Sequence, residues 1–154
     1  MEQQTLEVKA ALQILKPVYE VFEAIVDPSK MSNYFIAQGS GRMEEGKKLT
    51  WRFPEFDMDV PVRVGKIQKD KFISYYWDGG DGKEFPVEMT LTVRAENKTL
   101  VTVTEKGGMN NEAGIGWLKR NTEGWANFLA CLKAYMEYGI NLRKGAFEFM
   151  SDKK

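Results

Sequence analysis

From Leu49 to Thr104 apolar residues recur at every second position in successive short runs; from Leu118 to Met136 they recur at every third or fourth. Period two belongs to a strand with one buried face, and three–four spacing to a helix with one apolar stripe. A chain carrying both, in that order, has one economical solution: an antiparallel meander with a helix laid across it. Leu49, Trp51 and Phe53 share one strand face, with Lys48, Thr50 and Arg52 opposite. Met58, Val60, Val62 and Val64 alternate next, and Pro61 marks an edge or a bulge there. Phe72 to Trp77 is apolar on both faces, and Phe85, Val87, Met89, Leu91 and Val93 alternate strictly. Leu100 to Thr104 is the returning strand. Pro54–Asp57, Lys69-Asp70, Asp78–Gly82 and Glu96–Lys98 supply the turns between them.

Upstream, Leu6, Val8, Ala10, Leu12 and Ile14 alternate as an opening strand, which Pro17 ends. Val18, Phe22, Ile25 and Val26 then recur at helical spacing until Asp27-Pro28-Ser29 breaks the pattern. Met31, Tyr34 and Phe35 suggest a second short helix. Downstream, the stripe of Leu118, Thr122, Trp125, Leu129, Leu132 and Met136 predicts a helix from about Ala113 to about Tyr138, with Gly139 as its terminator. At about 1.5 Å per residue it spans nearly 40 Å. The apolar tail Ala146–Met150 is expected to dock. These elements predict an α+β fold of six or seven mainly antiparallel strands, in a single domain covering residues 1–154.

Composition limits the chemistry. The chain has no His and one Cys, Cys131. That excludes a Ser-His-Asp triad, a His-containing metal site, an intramolecular disulfide and a multi-Cys zinc site. With 22 basic and 22 acidic residues no overall field draws in nucleic acid or an anionic membrane. No run of about 18 apolar residues is present, and the polar start Met1–Thr5 is unlike a signal peptide, so the expected location is the cytoplasm. The glycine-rich stretches Gly39-Ser40-Gly41 and Asp78–Gly82 lack the helix entry of a phosphate loop and the ligand spacing of a calcium hand, and read as turns. No metal and no cofactor is expected.

The order of elements and several motifs resemble the helix-grip domains of the START-related superfamily (SRPBCC), and within it the family similar to the activator of the heat-shock-protein-90 ATPase, homologue 1-like. The resemblance runs over Pro17–Pro28, with Met31 and Tyr34-Phe35 following, then Gly46–Thr50 and Val87–Leu91. It ends on Thr122-Glu123-Gly124-Trp125 with Leu129, Leu132, Lys133, Tyr135 and Glu137. It implies a curved sheet gripping the long carboxy-terminal helix, with a cavity between them that in this superfamily commonly holds lipids, sterols, polyketides or hormones. The eukaryotic co-chaperone carries an additional amino-terminal domain. This chain starts its first strand within about five residues, so that domain is expected to be absent.

On the inward faces so inferred, the ligand-pocket residues are Trp51, Phe53, Tyr76, Met89, Leu91, Gly124, Trp125 and Phe128. Each competes with the reading that it simply fills the core. Gly124 withholds a side chain beside Trp125, and Tyr76, Trp125 and Tyr135 can place a polar atom on an apolar wall. Glu105 continues the face of Val101 and Val103, but its place at a strand end reads as a solvated charge. Glu88 faces outward with Thr90 and Thr92. Arg63 and Arg94 read as exposed ion-pair partners, and Cys131 as a small buried hydrophobe. Three function classes stay open. The first is non-catalytic binding of a small hydrophobic or amphipathic ligand. The second is a cyclase- or hydrolase-type enzyme using Glu105, Tyr76 or Arg63. The third is a protein-interaction module that contacts a chaperone.

Overall fold

The computed structural model describes residues 4–79 and 82–151. The chain runs β1 (Thr5–Ile14), α1 (Val18–Val26), α2 (Pro28–Met31), β2 (Gln38–Gly39), β3 (Lys48–Arg52), β4 (Asp59–Gln68), β5 (Phe72–Asp78), β6 (Glu84–Ala95), β7 (Lys98–Met109) and α3 (Glu112–Tyr138), then a short 3-10 turn at Glu148–Ser151. The strands form one seven-stranded sheet in the order β1-β7-β6-β5-β4-β3-β2, every neighbouring pair antiparallel. This is the α+β architecture that the alternation and the helical stripe predict.

Each boundary has a local cause. Asp27 ends α1 and caps α2: its side chain accepts from the Ser29 N–H, while Pro28 occupies the first helical position, where a missing N–H costs nothing. The second helix therefore stops at Met31, and Tyr34 and Phe35, read from sequence as helical, follow it in a turn that points both rings inward. Pro61 pairs with Thr50 on the β3 side, while among the described residues β4 pairs with β5 only from Arg63 onward. It is thus an edge proline in an inner strand, and the register shift comes later, between Val64 and Ile67. Asn111 caps α3 by accepting from Gly114 N–H at 2.8 Å, and Gly139 closes it in the left-handed conformation.

The helix lies on the inward face of the sheet, against β1 and β7. Trp51, Tyr75, Met89, Val101 and Val103 from the sheet meet Phe128, Leu129 and Leu132 from α3, all buried. At the far end, α3 also closes the exposed side of β1. Lys133 Nζ donates to Gln13 O and Glu137 Oε2 accepts from Leu15 N–H, while the two side chains pair with each other at 2.6 Å. The segment after α3 docks through Arg143, which pairs with Glu55; the Phe147 ring lies beneath the Arg143 guanidinium at 4.9 Å, whereas Phe149 and Met150 are exposed.

Candidate functional site

The space between helix and sheet is filled largely by aromatic rings. Phe35 packs edge-on against Trp51, Phe53 and Phe128, with centroids 5.9, 5.2 and 4.7 Å away. Trp51 meets Tyr75 at 5.2 Å, and Tyr75 meets Trp77 at the same separation. Trp77 in turn lies 5.6 Å from Trp125. The rings adopt the edge-to-face and tilted arrangements that the ring quadrupole favours. Where this packing reaches the surface it leaves an open cleft of about 250 Å³, walled by Phe35, Phe53, Trp77 and Trp125 and rimmed by Arg120, Asn121 and Arg143. Gly124 forms part of its lining, and a Cβ added there would meet no atom within 4 Å.

Behind the cleft lies a buried carboxylate. Glu105, on β7, is 1% exposed. Its Oε2 accepts from Trp77 Nε1 at 2.8 Å, and its Oε1 accepts from Trp125 Nε1 at 2.8 Å and from Asn121 Nδ2 at 2.9 Å. The strand-end reading of a solvated charge is therefore corrected. β7 runs on to Met109, five residues beyond the expected Thr104, so Glu105 sits mid-strand on the inward face. Three N–H donors replace the water a buried carboxylate needs. They also fix the two indoles that wall the cleft.

The residues singled out from sequence divide three ways. Phe53, Gly124 and Trp125 line the cleft. Trp51, Met89, Leu91 and Phe128 are buried in the packed interior on the inward face, Leu91 beside a separate concavity at the β4–β5 turn. Tyr76 is on the other face of the sheet: its ring carries the Arg63 guanidinium at 4.1 Å, and Arg63 pairs with Glu84. Within a strand apolar on both faces the parity had two solutions, and the inward pair is Tyr75 and Trp77. Arg63 and Tyr76 therefore stand away from Glu105, and the three do not form one site. Asp57 and Asp59 both pair with Arg52. Cys131 is buried, and burial, with Arg143 opposing and Glu55 adding, pushes its thiol above the usual range.

Phe35, Trp77, Arg120, Asn121 and Arg143 were not assigned to the site from sequence. Asn121 was legible in principle: it precedes Trp125 by one helical turn and shares its face. Arg143 was not, because it lies beyond α3. Its Nε and Nη2 donate to the two oxygens of Glu55 at 3.1 and 2.7 Å, largely out of solvent. It also covers the Phe35 and Phe53 rings at 5.8 and 5.6 Å, and so separates the cleft from a second one of about 240 Å³ beside Glu55. Deeper in, burial and then the Glu105 charge push the Tyr75 phenol well above its ordinary range. Its hydroxyl has no hydrogen-bond partner among the described residues.

Residues 16–137, from the end of the first strand to the last turn of α3, match the family model described as activator of Hsp90 ATPase homolog 1-like protein. The chain belongs to this family. Among solved structures it is similar to the protein SSP2350 from Staphylococcus saprophyticus, with 29% identity, TM-score 0.78, and 90% of this chain and 96% of that one covered. It is also similar to DynU16, a putative protein in the dynemicin biosynthetic locus, with 27% identity and TM-score 0.76. That match covers 87% of this chain and 48% of DynU16. The Aha1 dimer from Colwellia psychrerythraea shares the fold, with 18% identity, TM-score 0.73, and 87% of this chain and 98% of that one covered. No functionally curated protein matches the chain. The helix-grip fold is thus common to this chain and its structural neighbours. Among the described residues no helix is long and apolar enough to cross a membrane.

Proposed function

We propose that the chain is a cytoplasmic, non-catalytic binding protein for a small aromatic or amphipathic molecule, held in the cleft between Phe53, Trp77 and Trp125. The observation that carries this reading is the cleft itself. Its aromatic walls are held in orientation by Glu105, and Gly124 leaves its floor without a side chain. Preorganised apolar walls with a few polar groups are what a ligand site needs. The volume, about 250 Å³, lies below the roughly 300–1,000 Å³ of drug-sized pockets. A fused two-ring molecule therefore suits it better than a sterol.

An enzyme using Glu105 as a base would need that carboxylate to reach the ligand. Both of its oxygens are instead engaged by the walls, and it does not line the cleft. Chaperone contact is the second reading. The family description favours it, as do the exposed side chains of Tyr138, at the end of α3, and of Ile140 and Leu142 just past it. The test is a titration with naphthalene derivatives, read by tryptophan emission and melting temperature, on wild type and Gly124→Leu. Saturation at about 100 times the dissociation constant stabilises the native state by about 2.7 kcal/mol. Gly124→Leu should fold normally and lose the response. Absence of any response in wild type would sink the reading and leave chaperone contact in first place.

A further inference from the structure

The polar rim of the cleft is one-sided. Two guanidiniums, from Arg120 and Arg143, line it, and no carboxylate does. They are not equivalent. Arg143 is neutralised by its two-point pairing with Glu55. Arg120 has no ion-pair or hydrogen-bond partner among the described residues, and it is exposed. A Cβ added at Gly116 would lie 3.3 Å from Arg120 Nη1, so the guanidinium folds back along α3 over that glycine. It then stands where the cleft meets a neighbouring concavity of about 260 Å³, which it also lines and to which Lys83 contributes. Glu105 lies beneath the wall with its oxygens covered by three N–H groups.

We infer that the cleft selects an aromatic anion: a ring system between Phe53, Trp77 and Trp125, with a carboxylate or similar acid turned toward Arg120. The inference rests on the binding reading above and adds the charge of the ligand. A guanidinium meets a carboxylate through two parallel N–H donors, and the pairing strengthens where aromatic walls exclude water. Arg143 supplies no competing pair, because releasing it would leave the Glu55 carboxylate buried and unpaired.

The test compares 2-naphthoate with its uncharged isostere 2-naphthamide by calorimetry on wild type, Arg120→Gln and Lys119→Gln, at low and high salt. Lys119 is the exposed neighbour that does not line the cleft, so its removal changes net charge alone. Wild type should bind naphthoate at least about fivefold tighter than the amide, and the margin should shrink in salt. Arg120→Gln should erase the margin and leave amide binding within about twofold, while Lys119→Gln should preserve it. Equal binding of both probes to wild type overturns the anion preference and leaves the cleft standing. A margin that survives in Arg120→Gln, or is lost equally in Lys119→Gln, overturns the assignment to Arg120. If neither probe binds wild type, the binding reading falls and this inference falls with it.

Discussion

The indole of Trp125 reaches from α3 to the carboxylate of Glu105 on β7, with Nε1 donating to Oε1 across 2.8 Å. Helix and sheet are thereby joined by a polar contact inside an aromatic interior, with Trp77 closing it from β5. Gln in place of Glu105 keeps the shape but turns one acceptor into a donor, leaving an N–H facing an N–H. We expect Glu105→Gln to lose about 1–3 kcal/mol in urea unfolding. Glu105→Ala strands all three donors, and we expect a loss of about 3 kcal/mol or more, with a shifted tryptophan emission. If both variants unfold like wild type, the contact does not hold the two layers together.

Leu129 stands at the middle of the α3 stripe and is 1% exposed. Its truncation to Ala removes buried methyl groups from a packed interior and leaves a cavity. We expect Leu129→Ala to lose about 2–5 kcal/mol by chemical denaturation. A loss below about 1 kcal/mol would mean that the site collapses around the smaller residue.

The architecture was legible because both periodicities are long. Twenty-seven helical residues and strands of up to twelve leave little freedom in type or facing. The start of α3 at Glu112 instead of Ala113 is a one-residue difference at a capped end. The site was legible only where a face was unambiguous. Phe53 followed from its alternation and Trp125 from its helical spacing, and Gly124 from standing beside Trp125. From Phe72 to Trp77 every position of β5 is apolar, aromatic or small, so Tyr76 and Trp77 could not be told apart by pattern. Glu105 was misread because a charged residue near an expected strand end ordinarily meets water, and its three donors come from β5 and from two positions on α3. The Arg143–Glu55 pair joins the tail to the β3–β4 turn, a contact between irregular segments that no period encodes.

Glu137 gives a pH dependence of known sign. Burial raises its pKa, but the bonds from Lys133 and from the Leu15 N–H, with the charges of Lys133 and Lys16, outweigh burial and hold it below the ordinary value. A carboxyl depressed in the folded state adds stability that is fully present above its unfolded pKa of about 4.3 and is lost as pH falls through the lower folded value. We expect wild type to exceed Glu137→Gln in melting temperature at neutral pH. That difference should narrow only below about pH 4.3, as the carboxylate protonates. A difference constant down to the folded-state pKa and beyond would show that the carboxylate charge does not couple to folding.

Two glycines of α3 should respond oppositely to the same substitution. At Gly114, in the first turn, an added Cβ would run into the backbone carbonyl oxygen of Met109, which the β7 strand and the Asn111 cap hold in place. No side-chain rotation relieves a backbone clash, so Gly114→Ala should lose about 3 kcal/mol or more. At Gly124 the added Cβ meets nothing within 4 Å. Alanine there gains helix propensity and restricts the unfolded chain, and we expect Gly124→Ala to gain about 0.5–1 kcal/mol. The pair is measured in one set of urea curves at fixed pH. Loss at Gly114 with gain at Gly124 would identify Gly114 as the glycine the fold requires and leave Gly124 to the cleft. A matching loss at Gly124 would mean that its backbone, and not the open space beside Trp125, demands glycine.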